Sequence, residues 1–569
     1  MRNKVIVIGL DGATFELLGP WLQAGRLPHL QAMITEGVSG ELQSCVPPVT
    51  APAWTSFMTG KNPGKHGVFD FVVQDKNSYQ FRPVNARWRQ GKTLWEVIGE
   101  PGGQVVVLNV PMTHPPQAVN GALISDFLLA TGRGAMSYPA ALFEEIEEQF
   151  GQYPSDVVLP YFAASRADED VSRFVQEYKR ATEYKFRVLH YLLERFDPDF
   201  LMVHLYGNDQ ISHWFWHLLD ETHPWYRQEE AEKHYETIFA YYRAFDAEIG
   251  NLRGRAAKDV SLFVVSDHGF GPLSKDINLN TWLYREGYLV FRDRPLTRLR
   301  RLWWEAGYLP KSLAVPGWFI KGLGKLLRPV VKDQVRGGVD RLKWFHVLTQ
   351  NLFLSINDID WARTKAFSPF GFGQIRINVQ GTWAQGRVSP GAEYDQIKRE
   401  IVAKLRTLAD PETGEPVEAA IYSKEEVYWG EFFAEAPDMV FIPINGKYRP
   451  KSTTVFSSNR VISPSRDMSG THKMNGILVA QGNPLKRGAR SAGAQLTDLF
   501  PSILYLLGGA IPGDIDGKVL RQIFTEEFLR QHPIRTLTET AKAVSQASGL
   551  PEQGGEEIIE RLKGLGYLE

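Results

Sequence analysis

Four separated stretches of this 569-residue chain carry side chains able to hold hard or borderline metal ions. Asp11 ends the run KVIVIGLDG. Asp209 and His213 stand four apart in NDQISH, a spacing that puts both on one helical face. Asp267 and His268 are adjacent in SDHGFG, and His472 lies in the glycine-flanked SGTHKMNG. Carboxylate oxygens with imidazole nitrogens suit zinc, manganese or iron better than calcium. A fifth stretch, PPVTAPAWTSFMTGKNPGKHG, sets the hydroxyl of Thr50 between prolines, just ahead of an apolar, helix-like run. Each piece alone has an ordinary structural reading. An Asp after a strand caps a turn, Asp-His-Gly makes a turn, and PPVTAP is a proline-rich turn with a capping threonine. Their joint occurrence, most of them closing a buried strand, favours a shared site.

The elements that must position these residues alternate. KVIVIGLDG, GQVVVLNV (103–110), PDFLMVHLYG (198–207), VSLFVVSDHG (260–269), DMVFIPI (438–444) and NGILVAQG (475–482) are near-continuous apolar runs rich in β-branched residues. That pattern marks strands buried on both faces, as in a parallel sheet. Between them, 171–196 and 230–252 carry apolar residues at helical spacing. The expectation is an α/β fold: a doubly wound, largely parallel central sheet flanked by helices, with chemistry at the carboxyl ends of the strands. We expect a first part of the core over 1–272 with a helical insertion at about 130–170. An inserted cap at 273–372, a second part of the core over 373–525 and a C-terminal helical tail over 526–569 follow.

Bulk properties narrow the function class. The chain is 43% hydrophobic and 23% charged with a formal net charge of −1, so overall charge points to no nucleic-acid polymer. One cysteine, Cys45, excludes an internal disulfide framework and suits a reducing compartment. The N-terminal apolar run is short for a secretory leader, and no uninterrupted apolar stretch is long enough to span a bilayer. The expected location is cytoplasmic.

VIGLDG, PPVTAPAWTSFMTGKNPGKHG, GNDQISH, SDHGFG and GTHKMNG, in that order, resemble the alkaline phosphatase superfamily. Within it they resemble the type I phosphodiesterase/nucleotide pyrophosphatase family. TDLFPSILYLLGGAIPGDIDGKVL (497–520) is similar to the closing segment of many superfamily members. The resemblance implies a two-metal hydrolase of a small organic phosphate ester. On it, Asp209, His213 and His472 hold one divalent ion. Asp11, Asp267 and His268 hold the other, with Thr50 bound through its oxygen as the nucleophile. Zinc fits the three histidines and three aspartates best, and manganese accepts the same set. A threonine hydroxyl is a poor nucleophile at neutral pH, and a bound divalent ion favours its alkoxide. Pro52 suits the first turn of a helix, which places Thr50 near a helix N-terminus, where a phosphoryl oxygen is favoured. Attack by Thr50 would give a phospho-threonine, which water then hydrolyses.

The sequence departs from the nucleotide-cleaving pattern at one place. Counting on from Thr50, the position of a phosphate-holding asparagine falls on Phe71, beside Asp70. Asn62 and Lys65 are the nearby polar candidates for substrate binding. The alternative reading is a phosphomonoesterase or a phosphoglycerate-mutase-like phosphotransferase on the same two-metal frame. A sulfatase lacks its modification motif here, and an inactive binding protein would have lost ligands that this chain keeps. From Arg292 to Lys332 the cap is basic and interleaved with Trp303, Trp304, Trp318 and Phe319. It reads as a lid for an anionic, partly apolar substrate, as a weak peripheral contact with a membrane or lipid, or as an insertion that packs its aromatics and solvates its arginines. The last is the expectation.

Overall fold

The computed structural model describes residues 3–130, 135–154, 168–255, 259–307, 353–369, 371–452, 454–538 and 555–565. Much of the cap expected at 273–372, including Trp318, Phe319 and Lys332, lies outside them. So do parts of the 130–170 insertion and of the tail.

A ten-stranded sheet organises the chain. Its centre runs Val260–Val265, Lys4–Leu10, Phe200–Leu205, Val105–Leu108 and Gly121–Ile124, all parallel. All six residues of Phe200–Leu205 are buried, as are six of seven in Lys4–Leu10, which is why these strands read as unbroken apolar runs. Long helices, Asp168–Phe196 and Gln228–Arg255, accompany the sheet. The expected α/β architecture with a largely parallel sheet holds. NGILVAQG is a core strand too, but Asn475–Gln481 runs antiparallel to both its neighbours, Val260–Val265 and Val38–Gln43.

Register sets the functional edge. Leu10 pairs with Leu205, and Gly9 with Val265. The three adjacent strands therefore end at one level, and Asp11, Asp209 and the Asp267-His268 pair all follow them there.

The second half corrects the expected boundary at 373. Residues 277–462 contribute nearly all of a separate hydrophobic core, including Ile277, Leu283, Trp304, Phe367, Ile375, Ile401, Phe441 and Phe456. Two small sheets build it, one from Lys275–Asn278, Tyr448–Lys451 and Ile462–Pro464, the other from Ala366–Phe367, Gln374–Ile377, Ala419–Ser423 and Met439–Pro443. DMVFIPI is thus a strand of this second body, antiparallel to its neighbours, and not of the central sheet. Its apolar run encodes burial on both faces, which either sheet supplies. The chain rejoins the first body through Gly470–Lys473, which pairs antiparallel with Gly269–Pro272. Among the described residues no helix is long and apolar enough to cross a membrane.

Candidate metal centre

Thr50 is the first residue of the helix Thr50–Thr59, all ten residues of which are buried. Its Oγ1 lies 3.4 Å from Nε2 of His268. Thr50, Asp11, Asp209, Asp267, His268, His213 and His472 are all buried. Two ligand groups form: Asp209, His213 and His472, and Asp11, Asp209 and His268, with the ligand atoms of each group within 4.8 Å of one another. The Asp209 carboxylate is common to both. Its Oδ1 stands 3.3 Å from His472 Nε2 and 3.6 Å from His213 Nε2. His268 Nε2 stands 3.5 Å from Asp11 Oδ1 and 3.4 Å from Asp267 Oδ2.

The histidines share one orientation. Each donates its Nδ1–H to a backbone carbonyl: His213 to Gly470 at 3.1 Å, His472 to Pro48 at 2.9 Å and His268 to Gly269 at 3.1 Å. A carbonyl can only accept, so these bonds fix the Nδ1–H tautomer and aim each Nε2 inward. His213 Nε2 and His472 Nε2 then face each other at 3.0 Å. Opposed lone pairs at that distance repel unless a cation or proton lies against both. Among the described residues, no donor reaches Oδ1 of Asp11 or Oδ2 of Asp267, although both are buried. The donor set, the tautomers and these orphaned oxygens fit divalent cations of the zinc or manganese type.

Electrostatics agrees. Burial, then the charge of Asp209, raises the Asp11 carboxyl well above its usual range. Burial, then Asp11 and Asp209, does the same to Asp267. Burial holds His213 down to about 4 and also lowers His268. Burial would raise Asp209 too, but the facing imidazoles of His213, His472 and His268 outweigh it and hold the carboxyl low. Carboxylates crowded in a dry pocket repel one another, and a divalent ion relieves that repulsion.

A model of the type I phosphodiesterase/nucleotide pyrophosphatase family matches residues 5–319, more than half of the chain. The chain belongs to that family. It is a phosphoester hydrolase, as the ordered motifs led us to expect. No curated protein matches it. Among solved structures it is similar to human ectonucleotide pyrophosphatase/phosphodiesterase 5, at 11% identity and a TM-score of 0.45, covering 93% of this chain and 99% of that one. It is also similar to phosphonoacetate hydrolase from Sinorhizobium meliloti, solved with phosphonoacetate, at 13% identity and a TM-score of 0.47, covering 89% and 95%.

In this chain the sequence-predicted ligands and Thr50 come together, while the two substrate-binding candidates do not join them. Asn62 caps the next short helix, accepting from Gly64 N, and donates to Val427 O at 2.7 Å. Lys65 donates to Asp514 O at 2.9 Å and pairs with Asp516 at 2.5 Å. Phe71 is wholly buried in the main core.

Sequence reasoning missed His204 and Trp54. His204 Nε2 lies 2.8 Å from Asp11 Oδ2, and Trp54 Nε1 donates to the same oxygen at 3.1 Å. Together they turn Oδ1 of Asp11 towards His268. Gly9 makes room, since a Cβ there would sit 2.6 Å from the Trp54 ring. A signal existed for both. His204 is the one ring nitrogen donor inside an otherwise apolar buried run, and Trp54 stands four after Thr50 on the same helical face. Phe372, from the second body, was also missed; its ring stacks on His472 with centroids 5.0 Å apart. Its φ of 58° is left-handed, a strained choice for a bulky side chain and one met at functional sites.

Proposed function

We propose that the chain hydrolyses phosphodiester or pyrophosphate bonds of a small organic phosphate, with Thr50 as nucleophile and two divalent ions in the ligand groups that share Asp209. The reading rests chiefly on one observation: three imidazoles with fixed Nδ1–H tautomers aim Nε2 at buried carboxylates, and Thr50 Oγ1 lies 3.4 Å from one of those nitrogens. Asp209, His213 and His472 would hold one ion, and Asp11, Asp267 and His268 the other with Asp209 as a common ligand, with zinc or manganese as the metal. Such ions, when bound, supply Lewis-acid charge that favours the deprotonated hydroxyl and offsets charge on the reacting phosphoryl group.

The residues themselves do the rest. Thr50 opens its helix, so the positive end of the helix dipole lies beside its hydroxyl and favours an incoming phosphoryl oxygen. Its Oγ attacks phosphorus and the ester oxygen opposite leaves, giving a phospho-threonine. Water then attacks that phosphorus in turn, Thr50 leaves as the alcohol, and phosphate or its monoester is released. His204 and Trp54 hold Asp11 in register, and Phe372 from the second body walls the His472 side against solvent.

The test is hydrolysis of bis-p-nitrophenyl phosphate and p-nitrophenyl phosphate by chelator-stripped protein resupplied with zinc, manganese or magnesium. Diester turnover that needs zinc or manganese supports the reading. Turnover of the monoester alone replaces it with a phosphomonoesterase, and no turnover by folded, metal-loaded protein with either substrate overturns it.

A further inference from the structure

The helix Pro295–Glu305 of the second body leaves four of its apolar residues exposed. A surface helix normally turns leucine and tryptophan inward and arginine outward. Here the inward residues are Thr297, Arg300 and Trp304. Thr297 Oγ1 donates to Asp358 at 2.8 Å, and Arg300 pairs with the same carboxylate at 3.0 Å. The Trp304 ring meets Tyr284, Phe291 and Phe456 edge-on. Leu296, Leu299, Leu302 and Trp303 are left exposed, at 56%, 46%, 58% and 48%. They are half of the large exposed hydrophobics among the described residues, all on eleven consecutive positions.

At about 100° per residue these four fall within one arc of about 120°. Arg298 and Arg301, paired with Asp293 and Glu305, and the N-cap Arg294 fall together on the next arc, bordering Leu302. Trp304 and the Asp358 anchor hold the helix from within, so the apolar stripe cannot roll inward without breaking a buried ion pair. A leucine and tryptophan stripe with an arginine stripe alongside is the pattern of a helix lying in the interface of an anionic bilayer, apolar side chains below the headgroups and guanidiniums among them. The charge flanking the stripe argues for an anionic lipid surface over an apolar protein groove. The sequence leaving the helix continues the same sign: 308–352 holds eight Lys and Arg against two Asp and no Glu.

We propose that the outer face of Pro295–Glu305 docks the protein peripherally on an anionic membrane surface. The expectation that the cap buries its aromatics and solvates its arginines is reversed at Trp303 and Arg300. The proposal does not depend on which phosphate ester the metal centre cleaves.

The full chain is sedimented with vesicles of phosphatidylcholine alone and of equal parts phosphatidylcholine and phosphatidylserine. Selective binding to the mixed vesicles, weakened by added salt, is expected. In the Leu299→Gln, Trp303→Gln double variant the binding constant should fall at least about tenfold. In Arg294→Gln, Arg298→Gln it should fall several-fold at low salt only. Circular dichroism and unchanged hydrolysis of a soluble diester show that the variants are folded. Absence of wild-type binding to the mixed vesicles overturns the proposal, and so does equal binding by the double variant. A concentration-dependent dimer that the double variant loses, without vesicle binding, also overturns it and assigns the face to a second copy of this chain.

Discussion

Replacing His204 by alanine should weaken one metal ion and spare the other. His204 is 2% exposed, and its Nε2 lies 2.8 Å from Oδ2 of the fully buried Asp11. Trp54 is the second donor to that oxygen, at 3.1 Å. With His204 gone, the carboxylate keeps only the longer bond to a neutral indole, and it can swing its free Oδ1 away from His268. Loss of an outer partner of a ligating group lowers metal affinity by about 10- to 100-fold, or about 1.4–2.7 kcal/mol. Only the group containing Asp11 should feel this. The pair His213 and His472 is oriented by Gly470 O and Pro48 O, which His204 does not touch. Calorimetric titration of stripped protein with zinc separates the two. We expect one site unchanged within about threefold and the other weakened by the factor above. His204→Gln, which keeps an N–H donor, should recover part of the loss, and Trp54→Phe should cost less than His204→Ala, about 0.5–1.5 kcal/mol. If folded His204→Ala weakens both ions equally, or neither, the positioning argument is wrong.

Further outcomes follow from the same geometry. Thr50→Ala should lower diester turnover by about a thousandfold or more while keeping both ions, and Thr50→Ser should retain much of it; metal analysis beside kinetics checks both. Asp209 belongs to both ligand groups, so Asp209→Ala should remove two ions per chain where His213→Ala removes one, as elemental analysis after gel filtration will read. Asp70 gives a pH signature: burial pushes its carboxyl from 3.8 up to about 7, against hydrogen bonds from Phe71 N and Gln374 that lower it. The folded state therefore holds a proton that the unfolded chain has released, and stability from this group is present below about pH 4 and lost as pH rises to about 7. Asp70→Asn removes that loss, so its urea stability relative to wild type should climb across this window, by at most on the order of 4 kcal/mol; a flat difference between pH 4 and 8 refutes the assignment.

The candidate ligands that follow the strand ends were legible for a physical reason. A strand buried on both faces writes a local signature, and in a parallel sheet its last residue already points at the functional edge. Asp11, Asp209 and Asp267 needed no long-range information. His472 is different. It reaches the site because Gly470–Lys473 pairs antiparallel with Gly269–Pro272, setting His472 opposite Phe270, two residues past His268. No local pattern predicts a pairing across two hundred residues, and only the family likeness pointed to it. The second body hid for a related reason. An apolar run such as 438–444 encodes how deeply a strand is buried and says nothing of which sheet buries it, so the boundary fell about a hundred residues early.

The failure of Asn62 and Lys65 to join the site follows from the helix that makes Thr50 useful. Being close in sequence to a nucleophile counts for little when a rigid rod intervenes. Thr50–Thr59 is ten residues long, and at 1.5 Å per residue it carries its far end about 15 Å from its near end. The same helix that offers its N-terminus and one hydroxyl to the metal centre delivers Asn62 and Lys65 to Asp514, Asp516 and Val427 at the other end. Residues that share the site with Thr50 must lie about one turn from it, as Trp54 does, or come from another element altogether, as His204 and Phe372 do. A search for substrate-binding groups should therefore leave the Asn62–Lys65 loop and turn to the second body's loop around Phe372, which the left-handed backbone at 372 and 373 holds over His472.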